Sequence, residues 1–270
     1  MSDAHLHLWE DRFLYATHAI ASGLTARASG AVLLAPPGRS FTLVTGSGER
    51  LQAAAAWVPP LVARRLDASR WGLLSLNLDP AAHHHRLLAA RLGERRIHPL
   101  PVEDLVRLGP ACEGALHGQL DADALQALCN DAVRLAVGAP LEAVTSKPER
   151  PLDPRISRVA AAIRRDPQAA PLPALAALAG LSTDRLTHLF REQAGLSVTR
   201  YALWAKIRRA IQQMREGAPL TQVALAGGFS DSAHMSRTFQ SCFGLAPSFL
   251  ADPRRVQLAV DEAATRTWPA

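Results

Sequence analysis

Two short stretches of this 270-residue chain carry side chains suited to touching a nucleic acid. The first offers Asp184, Arg185, Thr187, His188 and Arg191; the second offers Ser232, Ala233, His234, Ser236, Arg237 and Gln240. Most are types that bond base edges or phosphate oxygens. Arg237 can fork onto guanine O6 and N7 or hold a phosphate. Asp184 only accepts, so it would read cytosine N4 or repel wrong sites, and Ala233 offers a methyl contact, as to thymine. His188 and Arg237 stand at matching places, 49 residues apart.

The match follows from a pattern written twice. Leu175-Ala-Ala-Leu-Ala-Gly180-Leu181-Ser182 corresponds to Val223-Ala-Leu-Ala-Gly-Gly228-Phe229-Ser230 at an offset of 48, and later residues correspond at 49, one residue being inserted after the turn. Each copy reads as helix, tight turn, helix. A Gly ends the short first helix, as a left-handed C-cap prefers. Leu181 or Phe229 plugs the corner, and Ser182 or Ser230 follows as N-cap of the second helix. That second helix buries Leu186, Leu189 and Phe190 in one copy and Met235, Phe239 and Phe243 in the other, so the polar residues above face outward. Between the copies, Val198 to Arg215 is an uninterrupted helical pattern about 27 Å long. Its apolar residues are Tyr201, Leu203, Trp204, Ile207, Ala210, Ile211 and Met214. A rod of that length could hold two reading helices on one face of a duplex, where successive major grooves lie about 34 Å apart. Arg185, Arg191, Arg200, Lys206, Arg208 and Arg209 are the phosphate candidates.

With Leu178-Ala-Gly-Leu-Ser182, Leu189-Phe190-Arg191, Gly195-Leu196-Ser197, Tyr201, Ile207-Arg208, Ala224, Gly228-Phe229-Ser230-Asp231, His234-Met-Ser-Arg237, Phe239, Phe243-Gly244 and Pro247 in place, residues 172–250 resemble the DNA-binding domain of the AraC/XylS family of bacterial transcription regulators. With the first helix near Pro154 included, the resemblance covers about 95 of the 270 residues. It implies base contacts from Asp184, Thr187 and His188 in one copy and from Ser232, Ala233, His234 and Ser236 in the other.

Charge is partitioned to match. Residues 154–251 hold twelve Arg and Lys against five Asp and Glu, whereas residues 1–153 hold fifteen against sixteen. The basic excess thus sits with the repeats, as a polyphosphate partner requires. Cys112, Cys129 and Cys242 are odd in number and scattered, which suits a reducing cytosol and no disulfide framework. No run of 18 apolar residues occurs and no secretory signal opens the chain, so the expected location is the cytoplasm, away from membranes.

The first half reads as strands. Phe13–Tyr15, Ala31–Ala35, Phe41–Val44, Ala53–Val58 and Leu73–Leu78 are short apolar runs, parted by Pro36-Pro-Gly38, Gly46-Ser-Gly48, Pro59-Pro60 and Asp79-Pro80. Regular short strands imply a barrel or sandwich, and beside the family resemblance they suggest a cupin-like jelly-roll sensor. Metal-binding cupins need a His-x-His pair with further Glu and His. Gly23–Gly30, where the pair would fall, has no His, so neither metal nor cofactor is expected. His5 and His7 read as a solvated strand face, and His83-His84-His85 as the polar edge of a helix start. Pro101–Leu108 and Asp121–Val137 read as helices. The Leu125, Leu128, Ala132, Leu135 stripe of the latter serves either to cover the barrel or, as the resemblance suggests, to pair with a second subunit.

The expected architecture is β then all-α. A cupin-like domain spans residues 1–137 (barrel 1–92, helices 101–137), with a linker at 138–153. A seven-helix double helix-turn-helix domain follows at 154–251, opened by Asp153 as N-cap and Pro154 at N1. Residues 252–270 form a tail, as a short helix or frayed. The expected function is sequence-specific regulation of transcription on double-stranded DNA, with a small effector in the barrel, RNA polymerase as partner for an activator, and a homodimer as the working unit. No nucleophile elbow, phosphate loop or paired carboxylates are present, which argues against the alternative of a cupin enzyme; a protein-binding adaptor is the third reading.

Overall fold

The computed structural model of the protein describes residues 3–101, 103, 105–138, 151–168, 171–215 and 217–261. Two sheets make the first half. The larger has seven strands: β1 (Ala4–Leu8), β2 (Arg12–Thr17), β4 (Gly30–Leu34), β7 (Ala55–Val58), β9 (Leu73–Leu78), β10 (His98–Pro99) and β11 (Val256–Val260), in the order β10-β7-β4-β9-β2-β1-β11. The smaller holds β3 (Ala21–Thr25), β5 (Phe41–Thr45), β6 (Arg50–Ala53) and β8 (Arg64–Asp67), in the order β3-β8-β5-β6. The central strands β2, β4, β7 and β9 are buried along their whole length, which is why they appear in the sequence as continuous apolar runs and not as alternations.

The large sheet is covered on both faces. Leu33, Ala56 and Val58 belong to the core that also holds Phe41, Leu43 and Leu66 of the smaller sheet. Val32, Leu34, Trp57, Leu74 and Leu76 belong to a second core with Leu88, Cys112, Leu116, Leu128 and Val133. These last come from α1 (His83–Leu92), α2 (Gly109–Leu116) and α3 (Ala122–Ala136). The stripe that could have met a second subunit is therefore spent inside the chain: Leu128, Ala132 and Leu135 are buried and only Leu125 is partly open. Among the described residues of the helix expected at Pro101–Leu108 there is a 3-10 turn at Leu105–Leu108, and the helix proper starts at Gly109, with Pro110 in its first turn, where a missing N–H costs nothing.

His85 corrects the polar-edge reading of the three-histidine run. It lies in the first turn of α1, 1% exposed, with its ring edge-on to Trp57 at 5.6 Å. Burial first, and the neighbouring Arg86 charge less, lower its pKa to about 4. The unfolded chain, with His near 6.5, then binds the proton more readily. Stability contributed by neutral His85 is complete above about pH 6.5 and is lost as pH falls toward 4, for a total of about 3 kcal/mol. Urea titrations at stepped pH should show this slope, and His85→Leu should flatten it; an unchanged slope in the variant sinks the assignment.

Among its described residues the second half contains seven helices: α4 (Pro154–Arg165), α5 (Leu172–Ala179), α6 (Thr183–Ala194), α7 (Val198–Met214), α8 (Leu220–Gly227), α9 (Ser232–Phe243) and α10 (Pro247–Leu250). Their core (Ile156, Val159, Leu186, Phe190, Trp204, Met235, Phe239) is continuous with the inner core of the sheets. The linker expected at 138–153 falls largely on residues 139–150, outside the described residues.

Nor do residues 253–261, the described part of the expected tail, fray or turn helical. The chain returns to the large sheet as β11, which pairs in parallel with β1 from Ala4↔Val256 to Leu8↔Val260. The pattern Val256-Gln-Leu-Ala-Val260 is β-branched at both ends, and Val256 is 1% exposed. The helical half is thereby stitched to the sheet by its own C-terminal extension. Ending the chain after Asp252 should cost about 2 kcal/mol from Val256 alone and lower the melting temperature by several degrees. A calorimetric trace that overlays the full chain would refute this.

Candidate nucleic-acid interface

Each copy of the repeat folds as two helices about a glycine corner. Gly180 ends α5 at φ 63° and Gly228 ends α8 at φ 91°, left-handed values that other residues adopt only with strain. At Gly227 an added Cβ would sit 2.9 Å from the Cβ of Ala210, so only glycine lets α8 press this closely on α7. The N-caps differ between copies. Ser182 accepts the Arg185 N–H at 3.2 Å. In the second copy Asp231 and not Ser230 caps, accepting the His234 N–H at 2.6 Å. This is where the inserted residue goes: the turn is longer by one, and the cap passes from hydroxyl to carboxylate. The His234 N–H and the Ser230 hydroxyl hold the Asp231 carboxyl below its usual range, so it stays charged at the positive end of α9.

The apolar faces of α6 and α9 are buried through Leu186, Leu189, Phe190, Met235, Thr238 and Phe239. Asp184, Arg185, His188 and Arg191 on α6 are exposed, as are Ala233, Arg237 and Gln240 on α9, while Thr187, Ser232, His234 and Ser236 are partly so. All eleven therefore lie on open faces. Two are already engaged. The Thr187 hydroxyl donates to the Thr183 carbonyl at 2.9 Å, which leaves its oxygen free only to accept. One ring nitrogen of His234 lies 3.1 Å from the Ser230 hydroxyl and its ring stands edge-on to Phe229.

The rod α7 is where sequence reading went astray. Arg208, expected on phosphate, is 3% exposed and points into the sheet. Its guanidinium donates to the carbonyls of Arg12, at 3.1 Å, and Trp9. Arg200 is exposed and Lys206 half-buried; Arg209 donates to the Arg165 carbonyl at 3.2 Å. One turn from Arg208, Trp204 stacks on Phe13, ring centres 5.4 Å apart. At its other end the Tyr201 hydroxyl donates to Asp79 Oδ2 at 3.0 Å and accepts from Arg164 Nη1 at 2.8 Å, with Arg164 and Asp79 3.5 Å apart. Nothing in the local pattern announced these bonds, since Asp79 and Tyr201 are 122 residues apart. The rod is thus fastened along its length to the sheet while the two outer helices stand free of it on their polar sides. The end of α9 touches the small sheet, and beside it the Ala26 N–H meets the Ser241 carbonyl at 3.2 Å.

A family model described as a helix-turn-helix domain matches residues 175–252. The arabinose operon regulatory protein of Escherichia coli is 38% identical over 69 residues, which span 25% of this chain and 24% of that one. Its Salmonella typhimurium counterpart matches equally, over 25% of each chain. The chain thus shares about a quarter of the length of these curated relatives. Among solved structures, ToxT from Vibrio cholerae bound to an unsaturated fatty acid superposes over 93% of this chain and 94% of its own, with TM-score 0.53 and 14% identity. A ligand-free ToxT variant superposes over 89% and 96%, with TM-score 0.55 and 13% identity. At such identities the likeness is one of fold, and it extends through both halves. The doubled motif, with its αL corners, thus lies in the segment, residues 175–252, that matches the helix-turn-helix model and is similar to these arabinose operon regulatory proteins.

Proposed function

We propose that the protein is a sequence-specific DNA-binding regulator of transcription, and not an enzyme, whose N-terminal half answers to a small effector. The observation that carries this reading is the pair α6 and α9. Both bury their apolar faces, both leave a polar face open, and both hang from one rod. Such a pair enters successive major grooves of one duplex. The effector reading draws support from ToxT, whose structure holds a fatty acid, and from the continuity of the two cores. Among the described residues no helix is long and apolar enough to cross a membrane, in keeping with a cytoplasmic site of action. RNA polymerase is the natural partner of an activator of this kind. A homodimer would have to pair through a surface other than the covered stripe of α3.

Selection of bound fragments from genomic DNA with the purified full chain tests the reading. It should enrich a site with two blocks of preferred bases about one helical turn apart; enrichment of no common sequence would end it. On that site log K should fall linearly with log salt, by about 0.9 per phosphate neutralised, with Arg185, Arg191 and Arg200 as the exposed candidates. A salt-independent affinity would remove the basic face from the account.

A further inference from the structure

An edge strand offers unpaired N–H and C=O groups to any passing chain, and folded proteins blunt such edges. Three of the edges in the two sheets are blunted. β10 is two residues long and ends in Pro99, which has no N–H to give. β3 shifts register between Ser22 and Thr25 and is touched by α9. β6 carries an exposed charge at Arg50. β11, the remaining edge, has none of these guards. Val256-Gln-Leu-Ala-Val260 holds no charge and no proline, and it runs beside β1 without a shift. Among the described residues nothing pairs with its outer side.

The ladder to β1 fixes which groups that side presents. A strand residue turns its N–H and C=O to one side, and the next residue turns its own to the other. The Arg255 carbonyl accepts the Ala4 N–H at 3.0 Å, and the Asp261 N–H donates to the Leu8 carbonyl at 2.8 Å. Positions 255, 257, 259 and 261 therefore face β1, and Val256, Leu258 and Val260 face outward. The Val256 N–H is already taken by the Asp252 carbonyl at 2.9 Å. What stays open is the N–H and C=O of Leu258 and of Val260, and the Val256 carbonyl.

We propose that β11 pairs antiparallel with β11 of a second copy about a two-fold axis at Leu258, joining two seven-stranded sheets into one. In that register Leu258 exchanges both of its bonds with Leu258 of the second copy, and the Val260 N–H donates to the Val256 carbonyl across the axis. The strand is self-complementary in the same register. Val256 meets Val260, and Leu258 meets itself, on the face that packs toward the core. Exposed Gln257 meets exposed Ala259 on the other face. Beyond the strand, Arg255 falls opposite Asp261, of opposite sign. A two-fold contact needs this kind of self-match, and an unrelated strand would not supply it. One strand pair is a small interface, so the dimer is a weak, micromolar one. This pairing supplies an interface for the homodimer of the regulator reading, and it rests on that reading only for its use on DNA.

The test is sedimentation of the full chain, without DNA, from low to high micromolar concentration. The parent should pass from monomer to dimer over that range. Residues 257 and 259 form a non-hydrogen-bonded pair across the axis, where side chains stand closest. Gln257→Lys combined with Ala259→Lys therefore sets like charges against each other, and should raise the dissociation constant about tenfold. Gln257→Glu combined with Ala259→Lys sets opposite charges there and should restore the parent value or better it. Both positions are exposed, so the three proteins should melt alike. Leu258→Pro removes an N–H that β1 does not use, and should leave only monomer. A parent that stays monomeric overturns the proposal, as does a dimer equally tight in the Lys/Lys and Glu/Lys variants. A monomeric parent that dimerises once the chain is ended after Asp261 means that residues 262–270 occupy the edge, and overturns it too. DNA binding by parent and variants is measured separately, so a failure of the regulator reading appears there and not in the sedimentation.

Discussion

Arg237→Ala is expected to lose about 1–3 kcal/mol on the preferred duplex, a factor of roughly 5 to 150, and far less on random DNA at the same salt. Arg237 is exposed one turn into α9, between the buried Met235 and Thr238, so its removal leaves the packing of the helix alone. No hydrogen bond or ion pair commits its guanidinium to the protein among the described residues. A guanidinium in that position can fork onto guanine O6 and N7, a contact that discriminates, or sit on phosphate, a contact that does not. Fluorescence anisotropy on the selected site and on a scrambled duplex separates the two. Equal losses on both would reassign Arg237 to the backbone, and the specificity of α9 would then rest on Ser232, Ala233, His234, Ser236 and Gln240. His188→Ala is the matching change on α6, and its smaller side chain should give the smaller effect.

Asp79→Ala is expected to be the most damaging single change to stability, at about 3 kcal/mol. Asp79 is 1% exposed, accepts from the Tyr201 hydroxyl, faces Arg164, and also accepts the Ala81 N–H at 2.8 Å to hold the turn after β9. Removing it leaves a partly buried cation and a buried phenol without their acceptor, and the cost of stranding a desolvated charge exceeds the net worth of the pair that held it. Tyr201→Phe removes the middle link but keeps the ring against Phe190, and should cost about 1–2 kcal/mol. In a double-mutant cycle the two losses should fall short of additive, since they share one network. An Asp79→Ala loss under about 1 kcal/mol by urea titration would show that the α7 fastening depends on Phe13, Trp204 and Arg208 instead.

The two helix-turn-helix units were legible because every signal in them is local. Gly180 and Gly228 mark corners whose backbone only glycine adopts easily, and the spacing of Leu186, Leu189, Phe190, Met235 and Phe239 fixes which face is buried. The strand content of the first half was legible for the same reason, though β3, β6, β8, β10 and β11 were not, being short or charged. In Arg64-Arg65-Leu66-Asp67 the alternation does place Arg64 on the face of Leu66, and the burial follows that alternation. Charged type argued for the surface, and the periodicity was the better guide. Arg208 misled in the opposite way: it sits in a basic run on a helix, and only its turn relative to Trp204 and Tyr201, both buried, sets it inward.

What the sequence by itself determined is the pair of reading helices, the rod between them and the placing of basic charge beside them, for these depend on residues within a few turns of one another. What only the tertiary structure decided is how that rod is fastened and what it encloses. Asp79 finds Tyr201, Arg27 finds Cys242, His85 goes under Trp57, and Val256 returns to Ala4. Each pairing joins residues whose local patterns carry no mark of one another. A buried polar group must find its partner wherever packing brings one, and that choice is made by the closing of the whole core rather than by any stretch of chain.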